Sequence, residues 1–137
     1  MLMTPEVNVR DVHRSSQDPA RRERLGSYVI EALIDAPEEA AGTVYRVAID
    51  ANHRTSTSFH TRAEEYYFVL AGAGTAELDG ERLTLRAGDF LRLPPGVTHA
   101  FETGPDGLEL LNVHTPGCRP DRDTYFHGTT PNGFGAR

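Results

Sequence analysis

The chain has one cysteine, no tryptophan and no apolar run long enough to span a membrane. A single thiol, Cys118, cannot close an internal disulfide, which excludes a small domain held together by cross-links. In a Pro/Gly loop with nothing obvious nearby to activate it, Cys118 reads as a bystander rather than a nucleophile. Basic residues do not predominate either: 14 Lys and Arg stand against 20 Asp and Glu, mixed along the chain, for a net charge of −6. No basic patch is present to attract a phosphate backbone, so nucleic acid is not an expected partner. The opening residues MLMTPEVNVR lack the charged-then-apolar order of a secretory signal. The expectation is a cytoplasmic protein with no membrane partner.

At 137 residues the chain can bury one core, so one domain is expected. Thirteen glycines and nine prolines punctuate short runs rich in β-formers, the pattern of an all-β sandwich or barrel. Residues 1–26 read as an N-terminal arm, in which Val7, Val9 and Val12 alternate as in an edge or exchanged strand. A short helix follows from the cap Asp18-Pro19 through Leu25 and stops at Gly26. Residues 27–127 read as the barrel. Strands are expected over Ser27–Ile34, Thr43–Asp50, Ser58–Leu70, Thr75–Leu78, Arg82–Arg86, Phe90–Leu93, from His99, and over Leu108–His114. Turns are expected at Gly72–Gly74, at the two-residue loop Asp79-Gly80, at Ala87–Asp89, at Pro94-Pro95-Gly96 and at Gly104–Gly107. Tyr125-Phe126 can pack back on the barrel, and residues 128–137 have the composition of a loose tail.

The chemistry concentrates in two stretches. Ser58–Gly72, SFHTRAEEYYFVLAG, places His60 and Glu65 among strand formers, and Gly88–His99, GDFLRLPPGVTH, ends in His99. A divalent transition metal needs lone-pair donors converging from different elements, and imidazole with carboxylate suits Fe, Mn, Ni, Cu or Zn. Two hairpins facing each other across a barrel would bring His60, Glu65 and His99 together. The same three residues can also form a hydrogen-bonded polar cluster without metal. Strand alternation puts Glu65, Tyr67 and Val69 on one face and turns Glu64 and Tyr66 away. By the same alternation Tyr67 and Phe101 point inward, and Tyr45 and Val47 line the interior from an earlier strand. Arg92 reads as a surface charge.

These stretches resemble the two motifs of the cupin superfamily, G-x(5)-H-x-H-x(3,4)-E-x(6)-G and G-x(5)-P-x-G-x(2)-H-x(3)-N, over about residues 43 to 116. His60 matches the second histidine of the first motif, Glu65 its glutamate and Gly72 its closing glycine; Gly88, Pro94, Gly96 and His99 match the second. Ser58 stands where the first histidine would be, Asn52 replaces the leading glycine and Thr103 the closing asparagine. The resemblance implies a double-stranded β-helix barrel, with a homodimer formed by exchange of N-terminal segments. It implies a metal set of His60, Glu65 and His99, reduced by one histidine; His114 is the candidate for an additional ligand, ahead of His53 and the more remote His127. Ser58, Tyr45, Val47 and Phe101 are the expected pocket residues, and Tyr67 and His60 the catalytic ones. The function it implies is a metal-dependent enzyme acting on a small molecule, such as a tailoring cyclase or oxygenase of bacterial specialised metabolism. Two alternatives remain: a metal-free acid/base isomerase or epimerase, and a non-catalytic small-molecule-binding or sensor protein.

Overall fold

Nine strands follow one another: β1 (Arg22–Leu25), β2 (Tyr28–Ile34), β3 (Thr43–Ile49), β4 (Ser58–Phe59), β5 (Glu64–Leu78), β6 (Glu81–Arg86), β7 (Phe90–Leu93), β8 (His99–Thr115) and β9 (Tyr125–Phe126). They belong to a computed structural model that describes residues 11–17, 22–35 and 41–134. All pairings are antiparallel. The order β1-β2-β3-β8-β4-β9 forms one path, while β5 bonds to β6, β7 and β8, so the sheet curls on itself as a double-stranded β-helix barrel.

The expected strands are present, with one substitution of type. Arg22–Leu25 is not the end of a helix but strand β1, paired with β2 from Arg22↔Glu31 to Leu25↔Tyr28. Gly26, at φ +62°, opens a two-residue hairpin loop with Ser27, and that pairing outweighs the weak helix preference of a four-residue charged run. The Asp18-Pro19 cap and the Val7 and Val9 arm, with the segment exchange expected of a homodimer, lie outside the described residues. Among the described residues there is no helix, and so none long and apolar enough to cross a membrane.

Two expected turns are absent because β5 and β8 run through them. Over Glu64–Val69 strand β5 pairs with the C-terminal half of β8, and over Gly74–Leu78 with its N-terminal half; the register shifts at Val69/Ala71 and Gly72/Gly74. These bulges bend the pair around the barrel without breaking it. Gly72 (φ +84°) and Gly107 (φ +68°) sit at the bend, where a Cβ on Gly72 would collide with the Gly107 carbonyl. The closing glycine of the first motif therefore serves a backbone crossing.

The inward faces of β3, β5 and β8 supply a core of Tyr45, Val47, Ile49, Tyr67, Val69, Phe101, Leu108 and Leu110, with Leu85 and Leu93 from β6 and β7. The residues after β8 do not hang free. Phe134 packs edge-on against Tyr28 and Phe126, with ring centroids 5.8 and 5.0 Å away, so the expected loose tail lies across one end of the barrel as far as residue 134.

Candidate metal centre

Glu65 is fixed from both sides of β5, opposite Leu93 of β7 and His114 of β8. Inward alternation and cross-strand pairing leave its carboxylate only 2% exposed. His99 opens β8 opposite Ser58 of β4, and His60 follows β4, its carbonyl accepting a 2.7 Å hydrogen bond from Gly96 N. The Pro-Pro-Gly corner of the second motif thus tethers the backbone that carries the first. His60 Nε2 lies 3.3 Å from Glu65 Oε2, His99 Nε2 lies 3.3 Å from Glu65 Oε1, and His114 Nε2 lies 2.7 Å from Glu65 Oε2. The His114 contact is the shortest of the three and is among the interactions that hold the Glu65 carboxyl down. Asn112 Nδ2 donates to Glu65 Oε2 at 3.0 Å and to the Tyr66 carbonyl at 3.2 Å, which orients the carboxylate.

Ring orientation follows from what the other nitrogens touch. His60 Nδ1 lies 2.7 Å from the Asp123 carbonyl and His99 Nδ1 lies 3.3 Å from the Val97 carbonyl. A carbonyl only accepts, so both Nδ1 atoms carry hydrogen and both Nε2 atoms are turned toward Glu65; His99 Nε2 also lies 3.3 Å from Ser58 Oγ. Lone pairs facing a buried carboxylate at 3.3 Å need a proton or a cation between them. His60 Nε2 and Glu65 Oε1 are indeed buried without a hydrogen-bond partner.

This donor set fits a divalent transition metal. The ligand atoms of His60, Glu65 and His99 lie within 4.8 Å of one another. Four ligands at about 2.1 Å from an ion stand roughly 3.4 Å apart, close to the two 3.3 Å separations. A second trio, His60, His114 and Cys118, meets the same proximity condition.

Without an ion, charge is shared between Glu65 and His60. Burial pushes the Glu65 carboxyl up, but His99, His114 and His60 outweigh it and hold it well below the usual carboxylate range. Burial pulls His60 down, yet the Glu65 carboxylate and Cys118 raise it to about 11. Burial leads the other way at His99, which is lowered and therefore neutral at pH 7. Burial, then the Glu65 charge, push the Tyr67 phenol well above its ordinary value, so it remains a donor.

Above these groups opens a cavity walled by Tyr28, Tyr45, Val47, Tyr67, Phe126 and Phe134 and floored by the polar cluster. Ser58, Tyr45 and Val47 line it. Phe101 does not: it is 1% exposed and stands behind Tyr67, at a ring distance of 5.1 Å, as part of the core. Glu64 and Tyr66 face away, and Arg92 pairs with Glu64 on the outside. His53 and His127 are exposed and outside the cluster, whereas His114 is inside it.

The segment after β8 was the hardest to read from sequence. Cys118 is 1% exposed, not a loop bystander: its Sγ lies 3.3 Å from His60 Nδ1, and its backbone exchanges hydrogen bonds with Thr43 Oγ1. Asp123 and Thr124 are buried beside it. For Asn112 and His114 the signal was present, since they alternate with Leu110 on one strand face.

The fold and the interior cluster together define a class: a small β-barrel that carries three histidines around one buried carboxylate at the floor of an apolar cavity. Residues 45–114 match the model of the cupin domain, and the chain belongs to the cupin family. Among its relatives it is similar to protein SchB of Streptomyces halstedii, 30% identical over 107 residues, covering 77% of this chain and 76% of SchB. It is also similar to polyketide synthase CurC of Streptomyces cyaneus, 31% identical over 67 residues, or 49% of this chain and 44% of CurC. A Methanocaldococcus jannaschii protein, MJ1618, is 32% identical over 69 residues, half of this chain, so the chain spans only about half the length of the last two relatives (55% of MJ1618). Among solved structures, a variant of Streptomyces Pac13 with uridine superposes with a TM-score of 0.71 at 19% identity, covering 86% of this chain and 92% of that one. Pac13 is a nucleoside dehydratase.

Proposed function

We propose that this cupin is a metal-dependent enzyme that acts on a small organic molecule in specialised metabolism, in a tailoring step such as cyclisation or oxygenation. The observation that carries the reading is the convergence of His60 Nε2 and His99 Nε2, each 3.3 Å from an oxygen of the buried Glu65 carboxylate. The Streptomyces relatives, one of them a polyketide synthase, support the setting. His60, Glu65 and His99 would hold the ion, with His114 within reach. When bound, such an ion supplies Lewis acidity to a substrate oxygen or redox chemistry for oxygenation. The remaining work belongs to the protein. Asn112 keeps the carboxylate in one orientation, the aromatic walls bind a flat apolar body and exclude water, and the protonated Tyr67 donates to a substrate oxygen.

Elemental analysis of protein purified without chelator is expected to find a first-row transition metal, and His99→Ala to lose both the metal and the consumption of substrates drawn from polyketide-type phenols and nucleosides. Undiminished turnover by metal-free protein would sink the reading. The metal-free alternative has its own supporting observation. His99 is neutral beside a protonated Tyr67, a base and an acid in one cavity with ring centroids 6.1 Å apart. Turnover that survives chelation but not Tyr67→Phe would favour it.

A further inference from the structure

Asp123 lies outside both sequence motifs, yet it touches both sides of the candidate centre. Its carboxylate accepts four hydrogen bonds: Thr61 N at 2.8 Å, Thr61 Oγ1 at 2.7 Å, Arg62 N at 3.0 Å and Ala63 N at 2.9 Å. Those donors belong to three successive residues of the four that separate His60 from Glu65. The carbonyl of the same residue accepts from His60 Nδ1 at 2.7 Å. Asp123 adopts φ +58°, a left-handed conformation that aspartate tolerates better than most residues but does not prefer. Among the described residues Asn52 and Asp79 share this conformation. Asp79 sits in an Asp-Gly hairpin loop, whose geometry demands it. Asp123 is not inside such a loop but directly follows the turn closed by Arg119 and Arg122. What holds it is the set of contacts from both ends of the residue, and the αL conformation is what lets the side chain reach residues 61–63 while the carbonyl turns to His60.

The surrounding segment is built to keep this arrangement still. Arg119 and Arg122 exchange backbone hydrogen bonds, Thr124 Oγ1 donates to the Arg119 carbonyl, and Cys118 is tied to Thr43 of β3 through both N and O. The turn is anchored to the barrel on one side and presents Asp123 to the site on the other.

We infer that Asp123 is a positioning residue of this centre: its carbonyl fixes which nitrogen of His60 faces Glu65, and its carboxylate fixes the bend that spaces His60 from Glu65. A ring N–H pointing at a carbonyl is retained in either protonation state, so Nε2 is the atom left for the site. Partners of this kind set the orientation and basicity of a ligand without touching the ion, and their loss costs about ten- to a hundredfold in metal affinity. The affinity part of this inference rests on the metal-holding function proposed above; the ring-orientation part does not.

The test uses the full chain with Asp123→Gly and Asp123→Asn, both of which tolerate positive φ and keep the backbone carbonyl. Asp89→Ala, which removes a single carboxylate bond to Arg86 N in a surface turn, is the control for a merely structural loss. Co²⁺ is titrated by absorption, and the His60 ring N–H is followed by NMR in metal-free protein. Wild type is expected to bind Co²⁺ and to show a slowly exchanging Nδ1 proton on His60. Asp123→Gly is expected to bind about ten- to a hundredfold more weakly, with an altered Co²⁺ spectrum and a fast-exchanging Nδ1 proton; Asp123→Asn, which retains one acceptor oxygen, falls between, and Asp89→Ala matches wild type in both readouts. Unchanged affinity, spectrum and proton exchange in a folded Asp123 variant overturns the inference. If wild type binds no Co²⁺, the metal reading falls and the NMR comparison alone decides the role of Asp123. Should Asp123→Gly fail to fold, Asp123→Asn decides by the same measurements.

Discussion

Glu65→Gln is the sharpest perturbation of the proposed centre, because it keeps the side chain's shape and removes only its charge. Glu65 is the donor to which His60, His99 and His114 all point. At a metal concentration one hundred times Kd, ligand linkage stabilises the folded state by about 2.7 kcal/mol. For a chain of this length 1 kcal/mol moves Tm by about 4 °C, so wild type should gain roughly 10 °C. Losing a ligand costs affinity at least as heavily as losing a supporting residue, about a hundredfold. The same metal concentration then sits near Kd, and the gain falls to about 0.4 kcal/mol, or roughly 2 °C. The metal-free variant also starts from a lower Tm, since removing one charge from a buried pair costs about 3–5 kcal/mol. Each protein is therefore compared with its own metal-free baseline, by thermal unfolding with and without Co²⁺ or Zn²⁺ after chelation. An equal metal-induced shift in Glu65→Gln and wild type would refute the assignment, because the ion would then be bound elsewhere.

Three further outcomes follow from the same geometry. His60, raised to about 11 by Glu65 against the pull of burial, is an imidazolium in metal-free protein at neutral pH, so an incoming ion must displace its proton. Apparent metal affinity should rise about tenfold per pH unit between pH 6 and 9, with one proton released per ion in calorimetry across buffers of different ionisation enthalpy; a flat profile contradicts the pairing. Ser58 Oγ donates to His99 Nε2 at 3.3 Å, the lone pair a metal would need, so Ser58→Ala should bind Co²⁺ as tightly as wild type or up to about tenfold more tightly; a large loss would make Ser58 a ligand. Asp123 is pushed up by burial but pulled below its ordinary 3.8 by the hydrogen bonds from Thr61, Ala63 and Arg62. Its stabilisation is present above that ordinary value and lost as pH falls through the depressed one. The stability gap between wild type and Asp123→Asn in urea should accordingly be widest above pH 4 and close toward pH 2, and a gap independent of pH counts against the carboxylate's role.

Much of the barrel could be read from period-two alternation and from turn residues, because both are local. The Asp79-Gly80 hairpin and the inward set Glu65, Tyr67 and Val69 are decided within a few residues of themselves. The misread elements are those decided at a distance. Asp18-Pro19 followed by a charged run has the local form of a capped helix, but Arg22–Leu25 pairs with β2, and pairing outweighs propensity in so short a segment. Gly72–Gly74 and Gly104–Gly107 look like turns one at a time. Only the pairing of β5 with β8 along both halves makes them bulges in continuous strands. Cys118 and Asp123 carry no local signal, since their importance comes from a segment returning about sixty residues later to the loop after His60.

Ser58 marks the departure from the family motif, and the structure gives it a definite task. It lies opposite His99 across the β4–β8 pairing and hydrogen-bonds the nitrogen that faces Glu65, so it braces a histidine of the cluster from the position where the motif has another. A third imidazole is nonetheless present. His114 arrives from the far end of β8, paired across β5 with Glu65 itself, and its ring stands 4.8 Å from that of His60 at nearly a right angle. The two ends of one bent strand, His99 and His114, thus both reach the same carboxylate, a meeting that depends on the β5–β8 pair passing through the Gly72–Gly107 crossing without a break. His114 Nε2, 2.7 Å from Glu65 Oε2, stands on the carboxylate oxygen that His60 and Asn112 also approach, so three imidazoles converge on one buried carboxylate. His114 therefore restores, from the other end of β8, the three-histidine, one-carboxylate count that Ser58 interrupts in the motif.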